Sequence, residues 1–151
     1  MIAMAITGVL RDPSSSEVIP AGRVLYQALA DTSGLAMLVD TDREKDSLWL
    51  RAHGFTDHNF LVDTYEGRQS QLTRVRNRGS LTLVVECDPR QAAETVRAGY
   101  TVLFLAAPSY TSPDHHPGTR LAPTPWGELL DEVARQEDIK ARDNRTSEEV
   151  L

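Results

Sequence analysis

Residues 81–108 read LTLVVECDPRQAAETVRAGYTVLFLAAP. The stretch predicts a strand, an acidic turn, a helix and a second strand. LTLVVE, 81–86, is an unbroken apolar run closed by a carboxylate, the pattern of a strand covered on both faces. Asp88-Pro89 opens a helix, with Asp as the capping type and Pro in the first turn, where its missing N–H costs nothing. Gly99 closes it. YTVLFLAA, 100–107, is the next strand.

Working outward, the same alternation repeats. Residues 2–10 form an apolar first strand, followed by the turn-rich RDPSSSEVIPAG, 11–22. GRVLYQALAD, 22–31, carries Val24, Leu25, Ala28 and Leu29 at helical spacing, and GLAMLVD, 34–40, is a second strand. Thr41 followed by Glu44 fits a capping box for a helix reaching Gly54, with Leu48, Trp49 and Ala52 as its apolar stripe. NFLVDTY, 59–65, is a third strand, and 68–78 a helix rich in arginine. A Pro-rich loop follows the fifth strand, then an amphipathic helix from Trp126 to Gln136. The tail 137–151 is polar. Five strands alternating with helices predict an α/β fold of three layers. Its sheet is doubly wound and parallel, with the strand at 2–10 central between 34–40 and 81–86. Residues 1–136 are one domain.

Composition bounds the function. The chain has 151 residues, an apolar share of 40% and a charged share of 25%, ordinary for a water-soluble domain with its own core. A formal net charge of −6 argues against broad phosphate-backbone binding and leaves room for a local basic face. Cys87 is the single cysteine, so no intrachain disulfide forms, which fits a reducing compartment such as the cytoplasm. The apolar start lacks a basic leader and reads as a strand. No apolar run approaches the roughly 20 residues that span a bilayer, so no membrane role is expected.

In such sheets ligands sit beyond the carboxyl ends of the strands. Those ends hold Thr7–Leu10, Asp40–Asp42, Thr64–Glu66, Glu86–Asp88 and Ala107–Ser109. Glu86 and Asp88 have the chemistry to hold a divalent cation. The competing reading makes Asp88 a helix cap and Glu86 a solvated strand end. Cys87 sits at a helix start, where a thiol can be activated, but no histidine is near in sequence. Asp114, His115 and His116 form a polar loop cluster without ligand spacing. His53 and His58 flank a helix-to-strand connection. Trp126 anchors the last helix, and Tyr110 and Pro113 lie in the loop beside the strand ends. Arg68, Arg74, Arg76 and Arg78 offer phosphate or RNA contacts, with a solvated face as the simpler account.

The apolar run followed by GVLRD, the LVDTD at the second strand end and the ECDP motif occur in an order that resembles the haloacid dehalogenase (HAD)-like superfamily. The match is nearer to its small cap-less members of actinobacteriophage type, and it covers roughly residues 1–135. The resemblance implies an aspartate nucleophile and an aspartate acid after the first strand, magnesium, a Ser or Thr and a basic residue for phosphate, and acidic metal ligands. This chain carries Ala5 and Thr7 at the two aspartate positions. Thr41 is the nearest candidate for the phosphate hydroxyl, Arg74, Arg76 or Arg78 for the cation, and Glu86 and Asp88 for the metal carboxylates. Ala5 cannot attack phosphorus, and Thr7 is a poor acid at neutral pH. No cofactor is expected, with magnesium at most weakly held. The chain therefore reads as a pseudoenzyme, phage-encoded and in the host cytoplasm or the virion. It serves as a binding or assembly module for a protein partner or a phosphorylated small molecule. The alternatives are a weak magnesium-dependent phosphatase or nucleotidase using Asp12, Asp40 or Asp42, and a structural virion component.

Overall fold

A computed structural model describes residues 1–106, 130–139 and 142. Its sheet contains β1 (Ile2–Ala5), β2 (Leu35–Leu38), β3 (Phe60–Val62), β4 (Leu83–Glu86) and β5 (Val102–Phe104). The helices between them are α1 (Pro20–Ala30), α2 (Arg43–Ala52), α3 (Arg68–Arg78) and α4 (Pro89–Arg97). The strand order is β3-β2-β1-β4-β5, and every pairing is parallel. β1 is central, with Ile2 opposite Leu35 on one side and Leu83 on the other. The chain winds outward from β1 to β3, then returns across β1 to β4. The carboxyl ends of β1 and β4 therefore form the switch point at which α/β sheets bind ligands.

Side chains alternate between two cores, as the period of a strand requires. Met4, Met37 and Val85 pack on one face with Tyr26 of α1, Leu50 of α2 and Phe55. Ala3, Ala36, Leu38 and Val84 pack on the other with Leu72 and Val75 of α3. The small residues Ala3 and Ala36 let α3 lie close to the sheet. The edge strand β5 is less covered, with Leu103 exposed. Val102 and Phe104 line an apolar groove between α4 and the helix over 130–139.

Two boundaries differ from the sequence reading, each for a local reason. The first strand stops at Ala5. Residues 6–11 instead make a tight helical turn, with the Leu10 and Arg11 amides donating to the Ile6 carbonyl at 2.8 and 3.1 Å. Gly8, at φ +84°, permits it. Val9 and Leu10 are fully buried, and burial of a turn leaves the same apolar run in the sequence as burial of a strand. A short hairpin then brings Val18 back against Arg11. At α2 the cap is Asp42, which accepts from the Glu44 and Lys45 amides at 2.9 and 3.3 Å, and not Thr41. The predicted helix from Trp126 is described only over 130–139; Trp126, Tyr110, Pro113, Asp114, His115 and His116 lie outside the described residues.

Candidate functional site

A polar cleft of about 690 Å³ opens at the carboxyl edge of the sheet, where Thr7, Asp40, Thr41, Arg68, Glu86 and Asp88 meet. Each comes from the end of a strand or the start of a helix, so the scaffold holds the group at one edge. Thr64 and Gln91 complete the rim.

Two arginines organise the cleft. Arg11 leaves the hairpin and reaches back toward β2 and α2. Its guanidinium donates to Thr7 Oγ1 at 2.8 Å and to Asp46 Oδ1 at 2.7 Å, with Asp40 Oδ2 at 3.5 Å. It also lies 5.3 Å from the centre of the Trp49 ring. Asp46 is buried, and its second oxygen accepts the Asp40 amide at 3.0 Å. Asp40 in turn accepts the Thr7 amide at 3.1 Å. The turn after β1, the end of β2 and α2 are thus tied through one charge network.

Arg68, the first residue of α3, forms the second group. Its Nε lies 2.9 Å from Glu86 Oε2, close enough for an ion pair but without hydrogen-bond alignment. Another of its nitrogens donates to Gln71 Oε1 at 2.8 Å. Gln71 then donates to the carbonyls of Val39 and Val62, both at 2.8 Å. Glu86 is 1% exposed. Burial raises its carboxyl pKa, and the Arg68 charge and the Cys87 and Asp88 amides partly offset this. The Gln91 side-chain oxygen is buried without a hydrogen-bond partner among the described residues.

The structure brings Thr41, Glu86 and Asp88 to the same cleft. Arg74 and Arg78 do not line it. They lie over the rings of Tyr65 and Phe60. Of the arginines of α3, the one that faces the cleft is Arg68, which follows Gly67 at φ +86°. A glycine-arginine pair opening a helix is the local signal that marks it. Thr7 borders the cleft, and Ala5 is fully buried within the strand.

Several candidates have other work. Asp12 closes its own turn, accepting from the Ser14 amide, the Ser14 hydroxyl and the Ser15 amide, which lower its pKa. Cys87 points at the Thr7 carbonyl, 3.3 Å away. Burial and the adjacent Glu86 and Asp88 charges push its pKa up to about 12, so at neutral pH it is a thiol and a poor nucleophile. The His53 ring stacks on Trp49 with centres 4.3 Å apart. His58 faces the Tyr26 hydroxyl, and burial lowers its pKa.

The magnesium implied by the resemblance does not fit this donor set. Glu86 faces a guanidinium, Asp40 is bound to the Thr7 amide and approached by Arg11, and Ala5 supplies no oxygen. Among the described residues no three His, Cys, Asp or Glu side chains gather as metal ligands. Asp88 instead caps α4, accepting the Arg90 and Gln91 amides at 2.8 and 3.1 Å. Asp88→Ala is therefore expected to cost about 0.5–2 kcal/mol in urea unfolding. An unchanged midpoint would remove the cap from the account of α4. No described helix is long and apolar enough to cross a membrane. Compared with family models, curated proteins and solved structures, the chain matches none.

Proposed function

We propose that this chain is a catalytically degenerate HAD-like domain that works as a binding or assembly module for a protein partner or a phosphorylated ligand. The phage-type setting belongs to the same proposal. The observation that carries it is the end of β1. A phosphoryl-transferring site of this kind needs a carboxylate there, and the chain presents the buried methyl of Ala5. The strand order and the tight turn after β1 support the family reading. The pairing of both cleft arginines with carboxylates supports the loss of chemistry, since these charges stabilise one another and not a reacting phosphate. With magnesium and an aryl phosphate, the purified protein is expected to show no turnover above background. Metal-dependent turnover that disappears in Asp40→Asn would reverse this conclusion.

One observation favours the second reading, a weak phosphatase. Of Asp12, Asp40 and Asp42, only Asp40 lines the cleft. It stands beside the end of β1, where its Oδ2 holds the Thr7 amide at 3.1 Å. To act as nucleophile it would have to give up that bond and its contact with Arg11, which ranks this reading second.

A further inference from the structure

The arginines of α3 divide into two kinds. Arg68 is drawn inward to Glu86. Arg74, Arg76 and Arg78 form no ion pair among the described residues. From Gly67 to Val85 the chain has these four arginines and no acidic residue, although its formal net charge is −6. Of the nearest acids in sequence before this stretch, Asp63 pairs with Arg43, and Glu66, which keeps its charge, accepts from the Ser70 hydroxyl. Acids on the far side of the domain act weakly here, since salt screens charges beyond about 8–10 Å.

The basic face also carries aromatic rings. Arg74 stands 5.3 Å from the centre of the Tyr65 ring, and Arg78 stands 4.4 Å from that of Phe60. Tyr65 is 78% exposed. It is the most exposed large hydrophobic side chain among the described residues, while Tyr26 and Phe55 are buried. Positions 74 and 78 are one helical turn apart, about 6 Å along the axis, so the two guanidinium–ring pairs form a short row.

We infer that the flank of α3 that carries Arg74 and Arg78, with Tyr65 and Phe60, is a docking surface for single-stranded nucleic acid. Arg74 and Arg78, which share one flank of the helix, contact successive phosphates, and the open ring of Tyr65 stacks an unpaired base. This surface is separate from the cleft, so the inference does not depend on the reading of that site. Acidic protein surfaces share the charge complementarity and can also cover a tyrosine ring, so the comparison with poly-glutamate decides between the two. Among nucleic acids a duplex hides its base faces, which leaves single strands as the class that uses both the charges and the ring.

The test is fluorescence anisotropy with labelled oligo-dT and oligo-U, with poly-glutamate of matched charge as the comparison. Binding is expected to weaken with salt at a log–log slope of about −1.4, for two phosphates at roughly −0.7 each on a single strand. Arg74→Gln and Arg78→Gln should each reduce that slope by about 0.7. Tyr65→Ala should weaken binding about tenfold while Tyr65→Phe retains it, because a base stack contributes on that scale. Absence of binding by the wild-type protein at low salt would overturn the inference. So would equal binding of poly-glutamate together with indifference to Tyr65→Ala, which would assign the face to acidic peptides. The wild-type salt slope decides the matter even if a variant folds poorly.

Discussion

Arg68→Met is expected to cost about 3–5 kcal/mol of folding stability near pH 8 and far less near pH 4. The pair it breaks is not a surface bridge. The Arg68 side chain is 12% exposed and that of Glu86 1%. Removing the guanidinium leaves a carboxylate buried with two amides for company. The sign of the pH effect follows from Glu86. Burial raises its folded pKa above the ordinary 4.5, so its contribution to stability is full below 4.5 and is lost as pH rises through the folded value. In the wild type the Arg68 charge limits that rise. In the variant the limit is gone, the folded pKa climbs further, and the loss with pH is deeper and extends to higher pH. The comparison is urea unfolding of both proteins across the same pH series, which cancels every other titration they share. Arg68→Met combined with Glu86→Gln should recover most of the loss, because no buried charge remains. A cost that is small at pH 8, or independent of pH, would show that the pair is not closed as described.

This pair also shows where the sequence stops speaking. The sheet was legible because its signals are local: VVECDP, 84–89, marks a strand end, a cap and a helix start within six residues. The helix over 68–78 has its predicted bounds. What each arginine of that helix does is not local. Arg68 meets Glu86 only because the chain crosses β1 between α3 and β4, placing two residues 18 positions apart at one edge. Arg74 and Arg78 stand on the same helix and face Tyr65 and Phe60 instead. The Arg11 network is longer still, joining residues up to 35 positions apart. Thr41 and Asp42 are both capping types. The choice between them depends on where β2 ends, which tertiary pairing with β1 and β3 decides. That Ala5 supplies no carboxylate at the end of β1 was legible, since a methyl group has no hidden chemistry.

Gly22→Ala should lose at least about 3 kcal/mol, or prevent folding, against the direction that helix propensity alone would give. Gly22 lies near the start of α1, buried beneath the turn that follows β1. A Cβ added there would sit 1.8 Å from the Val9 carbonyl oxygen and 2.8 Å from the Val9 carbonyl carbon. Both are backbone atoms, so no side-chain rotation relieves the clash. The turn has little freedom to retreat. Val9 and Leu10 are fully buried, and the Ile6 carbonyl, Thr7 and Arg11 are held by the bonds that shape the cleft. Alanine gains about 1 kcal/mol in an exposed helix interior, which the clash outweighs. Gly99→Ala is the control. Its φ of +93° disfavours a side chain, yet nothing lies within 4 Å, so it should cost only the backbone strain of roughly 1–2 kcal/mol. Urea unfolding of both variants separates lost space from lost conformational freedom. If Gly22→Ala were as stable as the wild type, α1 could not pack against the turn after β1 as closely as described. The placement of Thr7 and Arg11 at the cleft would then fall with it.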